Sequence, residues 1–201
     1  MLLTIGHSNH SAQRFNDLLR QHGVTALCDV RSRPYSRMQP QFNREALTQS
    51  LRESGIKYVF LGKELGARRE DPACYENGRV SYELVAETAL FQFGLDRVQS
   101  GMDRHRIALM CADKDPITCH RTILVARHLR TRGIDINHIL ADGSIETHDE
   151  ALARLRRSLS LEAIDLFRSE AEVLEDAYAL QGARIAYAPE EEEAAVAARA
   201  D

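Results

Sequence analysis

Short apolar runs alternate along the chain with longer stretches in which apolar residues recur every three or four positions. The runs read as strands and the periodic stretches as helices. Leu2-Leu3-Thr4-Ile5 is a first strand, stopped by Gly6, and Phe15, Leu18 and Leu19 mark one face of the helix that follows. Val24 to Val30 is a second strand, and a helix from about Arg44 to Ser54 is closed by Gly55. Tyr58 to Leu61 is a third strand. After it, the stretch 62–80, with Gly62, Gly66 and Pro72 among many charges, reads as a long loop, a length usual for a lid or binding element. A helix from about Tyr82 to Gln99 leads to a fourth strand at Ile107-Ala108-Leu109-Met110. A helix beginning near Cys119 then runs to Gly133, followed by a fifth strand from Ile134 to Leu140 and a helix near Asp149 to Leu159.

Strand and helix alternating in this way predict an α/β protein, a Rossmann-like three-layer sandwich with a mostly parallel five-stranded sheet and right-handed crossovers. Residues 1–160 are expected to form a single α/β domain and 161–201 a helical to disordered C-terminal extension. Glu190 to Asp201 offers almost nothing to bury, and truncation after about Leu180 is expected to spare the core.

Composition adds exclusions. With 30 acidic and 26 basic residues and a net charge of −4, the chain is no uniformly basic nucleic-acid coat, although local basic patches survive such an average. No run approaches the ~18 apolar residues of a membrane span, and Gly6-His7-Ser8 interrupts any apolar leader, so a cytoplasmic protein is expected. Four cysteines, at 28, 74, 111 and 119, are too few for a disulfide framework and read as thiols, ligands or core residues.

The polar residues concentrate where strands end. Cys111, Lys114 and Asp115 follow the fourth strand, and Pro116 forbids its continuation. Thr118 is the expected N-cap of the next helix, which would set Cys119, His120 and Arg121 in a first turn that favours a thiolate or a bound anion. His7 and Ser8 follow the first strand; Asp29, Arg31, Arg33, Ser36 and Arg37 end or follow the second. Parallel sheets bind ligands outside the carboxyl ends of their strands, so His7, Arg31 and Cys111 are expected to converge in one crevice. A carboxylate such as Asp29, in an otherwise apolar strand, must orient an arginine, bind a helix N-terminus or act in catalysis. The arginines suit a phosphate or carboxylate, against the alternative of a solvated basic loop. Cys28 and Cys74 are expected to be structural and incidental respectively. The spacing of Cys111 and Cys119 fits no standard zinc knuckle, so a metal site with His7 as third ligand ranks below a thiol nucleophile, and no metal ligand is assigned.

Taken together, Thr4-Ile5-Gly6-His7-Ser8, Asp29-Val30-Arg31-Ser32-Arg33-Pro34-Tyr35-Ser36-Arg37, Phe42-Asn43, Leu65-Gly66, Cys111-Ala112-Asp113-Lys114-Asp115-Pro116 with Cys119-His120-Arg121, and His138-Ile139-Leu140 resemble the bacterial and archaeal family called domain of unknown function 488. The resemblance covers about residues 2 to 145, with Asp113 where glutamate is expected and Ala67 where a second glycine often follows. It implies a compact α/β domain whose cysteines carry enzymatic work, but no particular substrate.

The expected function is therefore an enzyme acting on an anionic substrate, phosphate-bearing and related to nucleotides or nucleic acid. Cys111, Cys119, His7 and Asp29 are its catalytic candidates. Ser8, Arg31, Arg33, Ser36, Asn43, Lys114, Asp115, His120 and Arg121 are its substrate-binding candidates. The alternatives are a non-catalytic nucleotide or nucleic-acid binding module, or a Cys/His metal-binding protein. A small anionic ligand or nucleic acid is the expected partner, without a membrane; cofactor and oligomeric state stay open.

Overall fold

The structure is a computed structural model that describes residues 1–161 and 168–189. In chain order its elements are β1 (Leu2–Gly6), α1 (Ala12–Gln21), β2 (Ala26–Asp29), α2 (Arg44–Glu53), β3 (Lys57–Phe60), α3 (Gly62–Leu65), β4 (Tyr75–Glu76), β5 (Arg79–Val80), α4 (Tyr82–Glu87) and α5 (Ala89–Gly101). There follow β6 (Ile107–Cys111), α6 (Arg127–Thr131), β7 (Ile136–Ile139), β8 (Ile145–Thr147), α7 (His148–Ser158) and α8 (Glu170–Ile185). The main sheet has the order β3-β2-β6-β1-β7-β8; every pair is parallel except β7 with β8.

Side chains alternate between the two faces of a strand, and here both faces are apolar because both are covered. Leu3, Ile5, Leu27, Ala108 and Met110 pack with Phe15, Leu18 and Leu19 of α1 and Leu47 and Leu51 of α2. Their neighbours Leu2, Ala26, Cys28, Ile107, Leu109 and Cys111 face the other layer, with Val85, Phe91, Leu95, Val98, Leu129, Leu155 and Tyr178. Cys111 thus points toward the layer that holds the helical segment following its own strand.

The α/β sandwich and parallel sheet match the expectation, and four details differ. The main sheet has six strands, not five, because Ile145–Thr147 adds an antiparallel edge too short and too polar to register as an apolar run. The expected loop 62–80 contains α3 and the small hairpin β4-β5. Asn77 (φ 50°) and Gly78 (φ 75°) turn that hairpin, and Asn-Gly is the pair that left-handed hairpin turns favour. The expected helix 82–99 breaks at Thr88, which is extended and whose hydroxyl accepts from Phe91 N to cap α5. Finally, α8 opens with a capping box at Ser169 and Glu172 and buries Val173, Ala177, Tyr178, Gln181 and Gly182. Gln181 donates to the carbonyl of Ile117 at 2.9 Å, and Val80 N donates to that of Tyr187 at 2.9 Å, so a cut after Leu180 would remove packed structure. The stretch Glu190 to Asp201 lies outside the described residues. Among the described residues no helix is long and apolar enough to cross a membrane.

Candidate active site at the carboxyl ends of the strands

Parallel register brings the expected residues to one edge. Gly6 pairs with Cys111 and Asp29 with Met110. Beyond the strands His7 N donates to Cys111 O, Ser8 N to Ala112 O, and Val30 N to Met110 O, at 2.9–3.0 Å. The chain leaves β1 toward α1 and β6 toward the opposite helical layer, so the edge between β1, β6 and β2 is a topological switch point, where such sheets bind ligands. Gly6 is required there: a Cβ on it would stand 1.9 Å from the carbonyl oxygen of Asp113. Ser8 adopts a left-handed backbone (φ 48°) that few L residues take.

On one side of this edge lies a buried charged network. Arg31 Nε and Nη2 donate to the two oxygens of Asp29 at 2.9 and 2.7 Å, and Nη2 also donates to Phe42 O at 2.9 Å. Asp29 further accepts from Arg31 N at 3.1 Å and Tyr58 OH at 2.9 Å. His7 stacks on Phe42 with centroids 4.3 Å apart. Its Nε2 lies 3.2 Å from Arg31 Nη1, which can only donate, so Nε2 accepts and Nδ1–H donates to Ser8 O at 2.8 Å. Burial, ahead of the nearby guanidinium, lowers the His7 pKa to about 4. Asp29 thus orients an arginine, one of the roles its place in the strand allowed: the fork of Arg31 is taken up by Asp29, and both nitrogens of His7 are engaged.

On the other side two thiols and an imidazole converge. Cys111 Sγ stands 3.6 Å and Cys119 Sγ 3.8 Å from His120 Nδ1, and all three side chains are buried. The far nitrogen of His120, Nε2, lies 3.0 Å from the carbonyl oxygen of Val30. A carbonyl only accepts, so Nε2 carries the proton and Nδ1 presents its lone pair to the sulfurs. The hydrogen bond from the Cys119 thiol lowers the Cys111 pKa, against burial and Asp113. Burial, then Cys111 itself, raises that of Cys119. The thiol of one thus supports the thiolate of the other, and both were catalytic candidates.

The local reason is the helix start. Asp115, not Thr118, caps a short 3₁₀ turn, Pro116–Thr118, accepting from Ile117 N at 3.2 Å. Cys119 is extended (φ −131°, ψ 140°) and stands before a π-helical stretch, Arg121–Ala126, that continues into α6. Cys119 is thus the residue before the helix rather than part of its first turn, and its carbonyl accepts from Thr122 N and Ile123 N at 3.0 and 3.1 Å. The wider turn of a π segment is a frequent companion of functional sites.

Several other binding candidates also make contacts within the scaffold. Arg121 is fully buried and donates to Asp113 O at 2.7 Å, shaping the loop after β6. Asn43 accepts from Ser36 N at 2.7 Å, and Ser36 Oγ accepts from Gln39 N at 3.1 Å, which braces the loop after β2. Asp115 is held by Arg154 through two contacts of 2.8 Å. Ser8 is half-buried, its hydroxyl donating to Asn9 Oδ1 at 3.3 Å. Lys114, Arg33 and Arg37 are exposed. Cys28 is buried, its thiol pushed up to about 12 by that burial.

The sequence reading missed a cavity of about 660 Å³ lined by Ser32, Arg33, Lys63, Arg68, Arg69, Cys74, Tyr75 and Tyr187 among others. Arg69 is fixed there by donating to Lys63 O and Glu64 O at 2.9 and 2.7 Å, and Arg68 lies over the Tyr187 ring at 4.6 Å. The paired arginines following Gly66 were its only trace in the sequence. Cys111, Cys119 and His120 are not among its lining residues; the link to the thiol side runs along the chain, where His120 holds Val30 and Arg33 stands three residues on.

This architecture places the protein among α/β domains built on a mostly parallel central sheet. The chain belongs to the family described as Domain of unknown function DUF488, whose model matches residues 11–128, from the start of α1 to α6. No curated protein matches it. Among solved structures it is similar to that of a DUF442 protein from Shewanella putrefaciens CN-32 to which a phosphatase activity has been ascribed. The two share 11% identity over 92% of this chain and 89% of that one, with a TM-score of 0.35, a likeness that carries no argument about activity.

Proposed function

We propose that the protein is an enzyme acting on an anionic, phosphate-bearing substrate, related to nucleotides or nucleic acid, with Cys111, Cys119 and His120 as its reactive group. The observation that carries this reading is the convergence of two buried thiols and one imidazole lone pair at the sheet's switch point. The charge of the adjoining cavity supports an anion: Arg33, Lys63, Arg68 and Arg69 line it against Glu70 and Asp71. Arg31 and Arg121 act from behind, as rigid supports of the loops, because their donors already serve Asp29 and the loop carbonyls.

Calorimetric titration with inorganic phosphate, a nucleoside monophosphate and a short oligonucleotide, joined to a phosphate-release assay, tests the reading. Binding should weaken in Arg33→Ala and Lys63→Ala, and turnover should disappear in Cys111→Ser while binding persists. Binding without any turnover in the wild-type protein would move the assignment to a non-catalytic nucleotide or nucleic-acid module. No binding of any of the three would refute it.

A further inference from the structure

We infer that Cys111, Cys119 and His120 form a three-ligand zinc site with its fourth position open. The inference shares its residues with the functional reading above, and its consequence for catalysis rests on that reading; the metal site itself stands on geometry.

Zinc bonds of about 2.3 Å to sulfur and 2.0–2.1 Å to nitrogen, arranged tetrahedrally, set each S···N edge at about 3.5–3.6 Å. The two such edges here measure 3.6 and 3.8 Å. All three ligand atoms lie within 4.8 Å of one another, close enough for one ion to reach them with small side-chain adjustments. His120 arrives in the form a metal needs. Its Nε2–H is held by the Val30 carbonyl at 3.0 Å, the outer hydrogen bond that metal-bound histidines habitually make, and this leaves Nδ1 free to coordinate.

Charge favours the same assignment. The three residues are only 5%, 1% and 7% exposed, an environment in which a lone thiolate is poorly solvated. Two thiolates and Zn²⁺ sum to zero, so the occupied site would bury no net charge. Ligand chemistry supports zinc over hard cations, since sulfur and imidazole suit a borderline ion and provide none of the oxygen that magnesium or calcium requires.

Among the described residues no fourth His, Cys, Asp or Glu joins the three within their mutual reach. Asp113 Oδ2 lies 3.8 Å from Cys111 Sγ, but Asp113 is exposed and stands outside the group of three. Three protein ligands and an open position characterise catalytic rather than structural zinc. An oxygen of water or of an anionic ligand would complete the shell. His7, the third ligand of the lower-ranked metal reading, has its two nitrogens on Arg31 and Ser8, whereas His120, adjacent to Cys119 in sequence, reaches both sulfurs.

The full-length chain, purified under reducing conditions, is expected to carry stoichiometric zinc by elemental analysis. After exchange for cobalt it should show thiolate-to-cobalt charge-transfer bands and the intense visible bands of a tetrahedral ion. Cys111→Ser, Cys119→Ser and His120→Ala should each weaken the metal at least roughly 100-fold in competition with a chromophoric chelator. His120→Cys, which keeps a ligand, should retain it, an outcome that a merely packing histidine would not give. Cys28→Ser is the control, since Cys28 lies on β2 and is not one of the three. Circular dichroism confirms that each variant is folded. A folded wild-type protein that neither contains zinc nor develops the cobalt bands overturns the inference, as does undiminished cobalt binding in the Cys111→Ser/Cys119→Ser double variant, or iron or copper as the resident metal. The two readings fail separately. Phosphate-ester turnover by demonstrably metal-free protein removes the zinc site and leaves the enzyme, whereas bound zinc whose cobalt spectrum ignores phosphate and nucleotides, without turnover, supports the site and removes the anionic substrate.

Discussion

Two buried polar assemblies flank β1, and they solve the same problem in opposite ways. At its carboxyl end the cluster Asp29–Arg31–His7–Tyr58 contains a full ion pair, with Arg31 6% and Asp29 0% exposed. In the middle of the strand, Thr4 Oγ1 meets His138 Nδ1 at 2.7 Å, His138 Nε2 meets His148 Nδ1 at 3.1 Å, and His148 Nε2 meets Tyr178 OH at 3.0 Å. That chain joins the sheet to α8 with no charge at all. Burial lowers the pKa of His148 to about 4 and that of His138 well below the usual value, so both rings are neutral. The first assembly holds its charges by matching them, so losing a partner is costly. The second holds by staying neutral, so gaining a proton is costly.

The sharpest way to break the comparison is Asp29→Ala. It strands a buried guanidinium, and the expected loss is about 3–5 kcal/mol in urea unfolding. A loss under about 1 kcal/mol would mean that water replaces the carboxylate and that the network is not closed.

Acid should find the other weakness. Unfolded, a histidine takes up its proton near pH 6.5; folded, His148 and His7 do so only near pH 4. Between these values the unfolded state binds more protons, so stability is fully present above about pH 6.5 and falls as pH drops toward 4. By pH 5 the loss should reach roughly 2 kcal/mol for each of the two histidines. Equal urea midpoints at pH 7 and pH 5 would show that the rings are solvated. Repeating the series in His148→Phe separates the His148 share from that of His7.

Tyr178→Phe keeps the ring of α8 packed but leaves His148 Nε2 without its partner, for an expected cost of about 1–3 kcal/mol. Reading it by proteolysis as well as melting would show whether α8 releases first. The smallest effect should come from Arg154→Met. Its pairs with Asp115 and Glu146 are good in geometry, but Arg154 is 34% and Asp115 42% exposed, and such a pair contributes about 0–1 kcal/mol.

The layered fold and the edge at which polar residues gather were legible because both follow from local pattern. Buried strands declare themselves as apolar runs, and a parallel sheet puts every carboxyl end on one side. Roles within the edge were much less legible. That Asp29 could orient an arginine was legible, but not that both its oxygens take up the fork of Arg31, two residues on. Cys119 was expected inside the first turn of an α-helix, whereas it is extended and the stretch that follows is π-helical. Nor does the sequence show that both thiols are buried side by side, so that the hydrogen bond between them bears on their charge. The hairpin at Asn77-Gly78 could have been found, since its turn signal was present, but its strands are two residues long and carry no periodicity. The chain of histidines to Tyr178 links residues 134 positions apart at Thr4–His138, and nothing local announces such a contact.

The strand order carries a consequence for how the chain is made. β1 pairs with β6 and β7 and with nothing nearer in sequence: Leu3 lies beside Ala108, and Leu2 beside Ile136. On a ribosome adding about 5–20 residues per second, the first strand to emerge waits on the order of ten seconds for its partners. Through that interval β2 and β3 can pair and collect α2, but Leu2, Leu3 and Ile5 have no sheet to enter and are exposed to chaperones or to other nascent chains. Closure of so distant a pairing is the slow class of folding event. The segment that later lines the edge of the candidate site is therefore among the last to find its place, and nascent-chain yield should respond to translation speed more than the finished protein's stability suggests.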